Sequence, residues 1–232
     1  LEAATGWKAP VEVLRHLAER QHGGLETKST NGMSFYDLIL GSPVLGYNAF
    51  AKTFGTFQPR QDQKKYYKVV GLKVHASETC LVIFAVDVLS DRRVALKLMV
   101  HEDQWRREID LRKTEHGDQV NTTHVMELVD YVELDVAGLE YCRNDERLQG
   151  EGVFRYLLVM PQATRDLSDL LSHDRVAGHK VNEAKTILKQ VADHLHYLHE
   201  ECRMIHGDIK SRNIVEVVQE DGKVVWVLID LD

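Results

Sequence analysis

His206–Asn213 reads HGDIKSRN. A histidine, an aspartate, a lysine and an asparagine are crowded into one short stretch. Upstream, Asn182–Glu201 places Ala184, Ile187, Leu188, Val191, Leu195 and Leu198 at helical spacing, so one face is apolar. Downstream comes the β-branched run IVEVV, and WVLID reads as a further strand. An ordinary polar turn between two apolar elements needs no spaced D-x-K-x-x-N. The residue types are those of proton transfer, charge neutralisation and hard-cation binding.

The texture changes upstream. KYYKVVGLKV from Lys65, CLVIFAVDV from Cys80 and RRVALKLMV from Arg92 are apolar, β-branched and of strand length. Asp91–Arg93 makes a turn between the last two, which predicts an antiparallel sheet built of hairpins. His101–Lys113 is charged but carries Trp105, Ile109 and Leu111, and reads as a helix. Val125–Asp135 and Arg155–Met160 read as two more strands, with Gly138–Gly152 as a polar surface excursion between them. Helices then follow, at Asp166–Leu171 and Asn182–Glu201. Five strands with one inserted helix, then helices, is an α+β order with two lobes.

The chain has 232 residues, 44% hydrophobic and 28% charged, with a formal net charge of −7. That balance speaks against nucleic acid or an anionic membrane as partner. No run is apolar enough to span a bilayer, and no secretory signal opens the chain. Cys80, Cys142 and Cys202 lack metal-ligand spacing, and three reduced thiols are expected in an intracellular, cytoplasmic protein. Both ends read as cut: the chain opens on Leu1 and stops after IDLD. Near the start, PVEVLRHLAER is a helical pattern closed by Gly23–Gly24, and Asn31–Gly32 is a turn before FYDLIL. GGLETKSTNGMSFYDLIL resembles the seam between two ankyrin repeats, with Ser34 and Phe35 where Thr-Pro usually stands. This gives a repeat-like helical segment over 1–45 and a linker over 46–65. The ankyrin resemblance implies a protein partner and further repeats preceding Leu1.

HGDIKSRN resembles the catalytic loop of the protein kinases, H-R-D-x-K-x-x-N, and other motifs follow in order. VALK at Val94–Lys97 resembles the third-strand lysine motif. WRREIDLRK resembles the helix that carries its glutamate partner, here Glu108. LLVMPQATRDLSDLL resembles the stretch joining the lobes, and LIDLD the metal-binding D-F-G element, with Leu231 for Phe and Asp232 for Gly. The resemblance implies a protein-kinase-like bilobal fold over 66–232. Its small lobe would be a five-stranded antiparallel sheet with one helix, and its helical large lobe would be truncated after DLD. As a fragment it would be poorly stable and inactive.

Phosphoryl transfer spreads charge over three oxygens, so the protein's task is positioning and neutralisation. The resemblance implies a catalytic set of Asp208, Lys210, Lys97 and Glu108. Asp208 would accept the proton of the substrate hydroxyl, and Lys210 would neutralise the transferring phosphate, a lysine that goes with serine/threonine specificity. Lys97 would meet the α- and β-phosphates, held by Glu108. ATP would further contact Ser77, Cys80, Val82, Ala95 and Met160, and Asn213 and Asp230 would hold Mg²⁺. His206 is read as structural. There are three departures. HASETCLV has no glycine where a glycine-rich phosphate loop is expected, so the hydroxyls of Ser77 and Thr79 would stand in for part of it. Gly207 replaces the arginine that pairs with an activation-loop phosphate. Asp232 replaces a glycine, either as a second metal carboxylate or as a surface acid. The expected activity is transfer of the γ-phosphate of Mg·ATP to serine or threonine of a protein. The alternatives are a pseudokinase that scaffolds without turnover and a small-molecule kinase of related fold.

Overall fold

The computed structural model describes residues 56–113, 120–148, 152–174, 180–219 and 222–231. The ankyrin-like segment 1–45, the linker before residue 56, and Asp232 lie outside the described residues. The chain divides into two compact units, one of residues up to 94 together with 132–155, the other of 95–131 and 156–232.

In the first unit, β1 (Thr56–Phe57), β2 (Tyr67–Ala76) and β3 (Cys80–Asp87) lie side by side in that order. Both pairs are antiparallel, with Phe57 opposite Tyr67 and Ala76 opposite Leu81. Along β3, Leu81, Ile83 and Ala85 are buried and alternate with half-buried neighbours, the period-two pattern of a strand with one packed face. Gly138–Gly152, expected as an excursion without regular structure, contains most of a helix, α2 (Val136–Asn144). Asp135 caps it by accepting from the Gly138 N–H at 3.0 Å, and also takes the Gln61 N–H at 2.6 Å. A Cβ on Gly138 would meet the Pro59 carbonyl oxygen at 2.4 Å, so only glycine lets the two backbones approach this closely. Tyr141 stacks obliquely on Phe57 at 5.3 Å.

The second unit holds most of β4 (Arg93–Met99), all of β6 (Tyr156–Pro161) and the first half of β5 (Asp130–Glu133), neighbours in the order β4, β6, β5, with α1 (Glu102–Asp110) following β4. All of β6 is buried, as is β4 after its first residue, which explains why both read as continuous apolar runs. Trp105 fixes α1 to β6: its indole N–H donates to the Leu157 carbonyl at 3.1 Å and its ring stacks on Tyr156 at 5.1 Å. The strand expected over Val125–Asp135 is regular only at β5; Val125 makes an isolated bridge to Leu228.

A second sheet, β7 (Arg165–Asp166), β8 (Ile214–Val218) and β9 (Val224–Leu228), is antiparallel throughout. It packs with α3 (Leu167–His173) and α4 (Val181–His196) around Leu170, Ile187, Leu198, Ile214, Trp226 and Leu228. Leu188, expected on the apolar face of α4, is 66% exposed. At 3.6 residues per turn it lies beside the buried stripe rather than on it. α4 runs into a π turn, Tyr197–Glu201, in which the Cys202 N–H reaches back to the Tyr197 carbonyl at 3.1 Å. Arg203, at φ 56°, then takes the left-handed step that ends the helix.

Two histidines tie α4 to β9. His194 Nε2 faces the Trp226 carbonyl at 2.5 Å and therefore donates. In the neutral ring its Nδ1 then accepts from His124 Nδ1, 2.9 Å away. His124 is in turn stacked on Tyr197 at 4.2 Å.

Candidate functional site

Lys97 stands near the end of β4, 8% exposed, after the buried run Val94–Leu96. A buried ammonium must find a counter-charge. It finds two: Oε1 of Glu108, projecting from α1, and Oδ1 of Asp230 at 2.7 Å, just past β9. Burial works against the lysine's charge. Glu108 and then Asp230 outweigh it and hold the ammonium above the ordinary lysine range. Asp230 adopts φ 56°, a left-handed conformation that aspartate tolerates better than most residues.

The loop that follows α4 is ordered by its own polar groups. Gly207 sits at φ 80°, which suits glycine and would strain an arginine. Asp208 Oδ2 accepts from Lys210 Nζ at 2.5 Å and from Asn213 Nδ2 at 3.0 Å. The Lys210 hydrogen bond, aided by Asn213, holds the Asp208 carboxyl below the usual carboxylate range. Asn213 also donates to the Asp208 carbonyl at 3.0 Å, and its own carbonyl accepts the Ile229 N–H at 3.0 Å. That last bond joins the loop to the residue before Asp230. His206 is buried, with neither ring nitrogen hydrogen-bonded among the described residues.

Asn213 and Asp230 carry the oxygen donors that a small hard cation would use. The Asn213 amide nitrogen is committed to Asp208, which leaves its oxygen as the ligand atom. Asp230 gives Lys97 one oxygen and its side chain is 41% exposed. Oxygen donors of this kind are what Mg²⁺ would use, the rest of its shell being water and phosphate. No cluster of three or more histidine, cysteine or acidic side chains placed to hold a metal occurs among the described residues.

The other expected contacts divide between the units. Ala95 is buried on β4, and Met160 is buried with Met126, Val215 and Val227. Ser77 lies in the β2–β3 turn, and Cys80 and Val82 lie at the start of β3. The expectation that the Ser77 hydroxyl stands in for a glycine loop's donors meets a competing use. It accepts the Cys80 N–H at 3.1 Å and lies 3.2 Å from the Cys80 carbonyl, so it is engaged inside its own turn. Glu78 stands exposed beside it.

Arg112 was missed by the reading of the sequence. It is 5% exposed, and its Nη1 donates to Oε2 of Glu108 at 2.6 Å and to the Glu108 carbonyl at 2.7 Å. The i, i+4 spacing of Glu108 and Arg112 was visible, but nothing in a charged helix marks one such pair as buried.

No family model matches the chain. Over 60 residues it is 35% identical to "Probable serine/threonine-protein kinase sky1" of Dictyostelium discoideum, covering 26% of this chain and 9% of that protein. Over 189 residues it is 29% identical to "Protein kinase dsk1" of Schizosaccharomyces pombe, covering 75% of this chain and 31% of that protein. The chain is homologous to protein kinases. It spans less than a third of the length of these kinase relatives. Among solved structures, the kinase domain of Mycobacterium tuberculosis PknI is 23% identical with a TM-score of 0.47, covering 71% of this chain and 58% of that one. No described helix is long and apolar enough to cross a membrane.

Proposed function

We propose that this chain carries the ATP- and metal-binding residues of a protein kinase that transfers the γ-phosphate of Mg·ATP to serine or threonine of a protein. The observation that carries the reading is Lys97, shared between Glu108 and Asp230, residues 11 and 133 positions away in sequence. A buried lysine with two carboxylates, one on a helix and one following a strand, is poised to exchange a carboxylate for a phosphate oxygen.

In this reading Asp208, a carboxylate at neutral pH, takes the proton of the substrate hydroxyl. Asn213 fixes the carboxylate's orientation through one of its oxygens. Lys210, 2.5 Å from Asp208, supplies positive charge beside the attacked phosphate. Asn213 and Asp230 would hold Mg²⁺, which when bound neutralises charge on the phosphate oxygens. Ser77, Cys80, Val82, Ala95 and Met160 are proposed nucleotide contacts on the resemblance alone. Segment 1–45 is proposed, likewise, to recruit a protein partner.

The test is transfer from labelled Mg·ATP by the full-length protein to a mixed serine/threonine/tyrosine peptide library, beside Asp208→Ala. Label on serine or threonine that vanishes in the variant supports the reading. No label from a folded protein overturns it in favour of a pseudokinase, for which the closed Ser77–Cys80 turn would then account.

A further inference from the structure

Glu108 accepts from two buried cations, one at each oxygen: Lys97 at Oε1 and Arg112 at Oε2. With Asp230 these side chains form a quartet of two positive and two negative charges. The outer members differ in how they are held. Lys97 is a single-headed ammonium on a flexible stem, and its second partner, Asp230, is partly exposed. Arg112 is anchored on every side. Besides both Glu108 contacts, its Nε faces the Met126 carbonyl at 3.4 Å and its Nη2 lies 4.0 Å from Met160 Sδ. A buried carboxylate left without a cation is costly, so a lysine that is the sole partner of a buried glutamate cannot leave it freely. Here Glu108 keeps a full charge partner whatever Lys97 does.

We infer that Arg112 is a positioning residue: it holds Glu108 in place and neutralised, so that Lys97 can turn its ammonium to the nucleotide phosphates. The inference deepens the kinase reading and rests on it. Without Arg112 the remaining three charges sum to −1, and both carboxylates compete for one lysine. The nucleotide phosphates would then approach a site of net negative charge and find Lys97 held back. The burden falls on nucleotide binding, with the Asp208 loop untouched.

The experiment uses the full-length protein as wild type, Arg112→Met, Arg112→Lys, Glu108→Gln and the Glu108→Gln/Arg112→Met double variant. Arg112→Met keeps the volume of the stem, and melting temperatures check folding. KM for ATP, kcat, and the dissociation constant of Mg·ADP measured by calorimetry are the readouts. Arg112→Met is expected to weaken nucleotide binding by about 10- to 100-fold, the range seen where a group that orients a metal-binding side chain is lost, with a smaller fall in kcat. Arg112→Lys should recover part of it. In the Glu108→Gln background, Arg112→Met should add less than about twofold, since the two act through one contact. A folded Arg112→Met protein with wild-type KM and Mg·ADP affinity overturns the role of Arg112 while leaving the kinase reading intact. So does an effect that simply multiplies with that of Glu108→Gln. Wild-type protein that neither binds Mg·ADP nor transfers phosphate overturns both.

Discussion

Replacing Glu108 by glutamine tests the charge quartet directly. The side chain keeps its size, but one of its two oxygens becomes an NH₂ group. Both oxygens now accept from cations, so either Lys97 or Arg112 must face a donor. Lys97 and Arg112 are both over nine-tenths buried, so water cannot replace the lost partner. Breaking a buried ion pair from one side costs about 3–5 kcal/mol. Lys97→Met is the control with the opposite expectation. It leaves Glu108 paired with Arg112, and leaves Asp230 where solvent reaches it. Its cost is about 1.5–3 kcal/mol, that of a lost hydrogen bond to a charged group. A chain this size shifts its melting temperature by about 2–4 °C per kcal/mol, so Glu108→Gln should melt about 6–20 °C below wild type and Lys97→Met about 3–12 °C below. Thermal melts of the three proteins, followed by tryptophan fluorescence without nucleotide, give the comparison. Lys97→Met melting as low as Glu108→Gln would mean that Arg112 does not hold Glu108 on its own.

Asp208→Asn should lower phosphate transfer by about 10²- to 10⁴-fold, the usual contribution of a general base, while Mg·ADP affinity by calorimetry stays within about twofold. Gly138→Ala, which helix propensity alone would make favourable by about 1 kcal/mol, should instead destabilise by about 1–3 kcal/mol, because the methyl meets a backbone carbonyl. A urea midpoint at or above wild type would contradict that. Burial lowers the pKa of both His194 and His124, each from an ordinary 6.5. The unfolded chain therefore binds more protons just below that pH, and stability rises with pH there. It should be complete above pH 6.5 and lost as pH falls through the folded values. Urea midpoints should fall from pH 7.5 to 5.5, with a shallower fall in His194→Gln; an equal slope in both proteins would detach the effect from this pair.

The catalytic-loop region was legible because its chemistry is local. The stretch from Asp208 to Asn213 closes on itself by short hydrogen bonds, so spacing alone brings those three residues together. The lysine–glutamate pair was legible for another reason: a buried strand leads to one residue and the next helix to the other. Arg112 was not, because burial of a helix face is decided by what packs on it, and β6 and Met126 are distant in sequence. Helix α2 was overlooked because the contacts that hold its start, from Gln61 and Pro59 to Asp135, are tertiary. The hairpin of β8 and β9 appeared in the sequence only as two β-branched runs. Nothing local showed that β7, two residues long, would join them.

The π turn at Tyr197–Glu201 bears on how this chain should be aligned with others. A helix that closes one turn with i→i+5 bonding takes in a residue more than regular winding needs. Relatives that wind this stretch as an uninterrupted α-helix would reach the HGD loop one position sooner. An alignment that matches α4 residue for residue would then place the wrong neighbour opposite Asp208, and a one-residue gap within Tyr197–Glu201 would restore the frame.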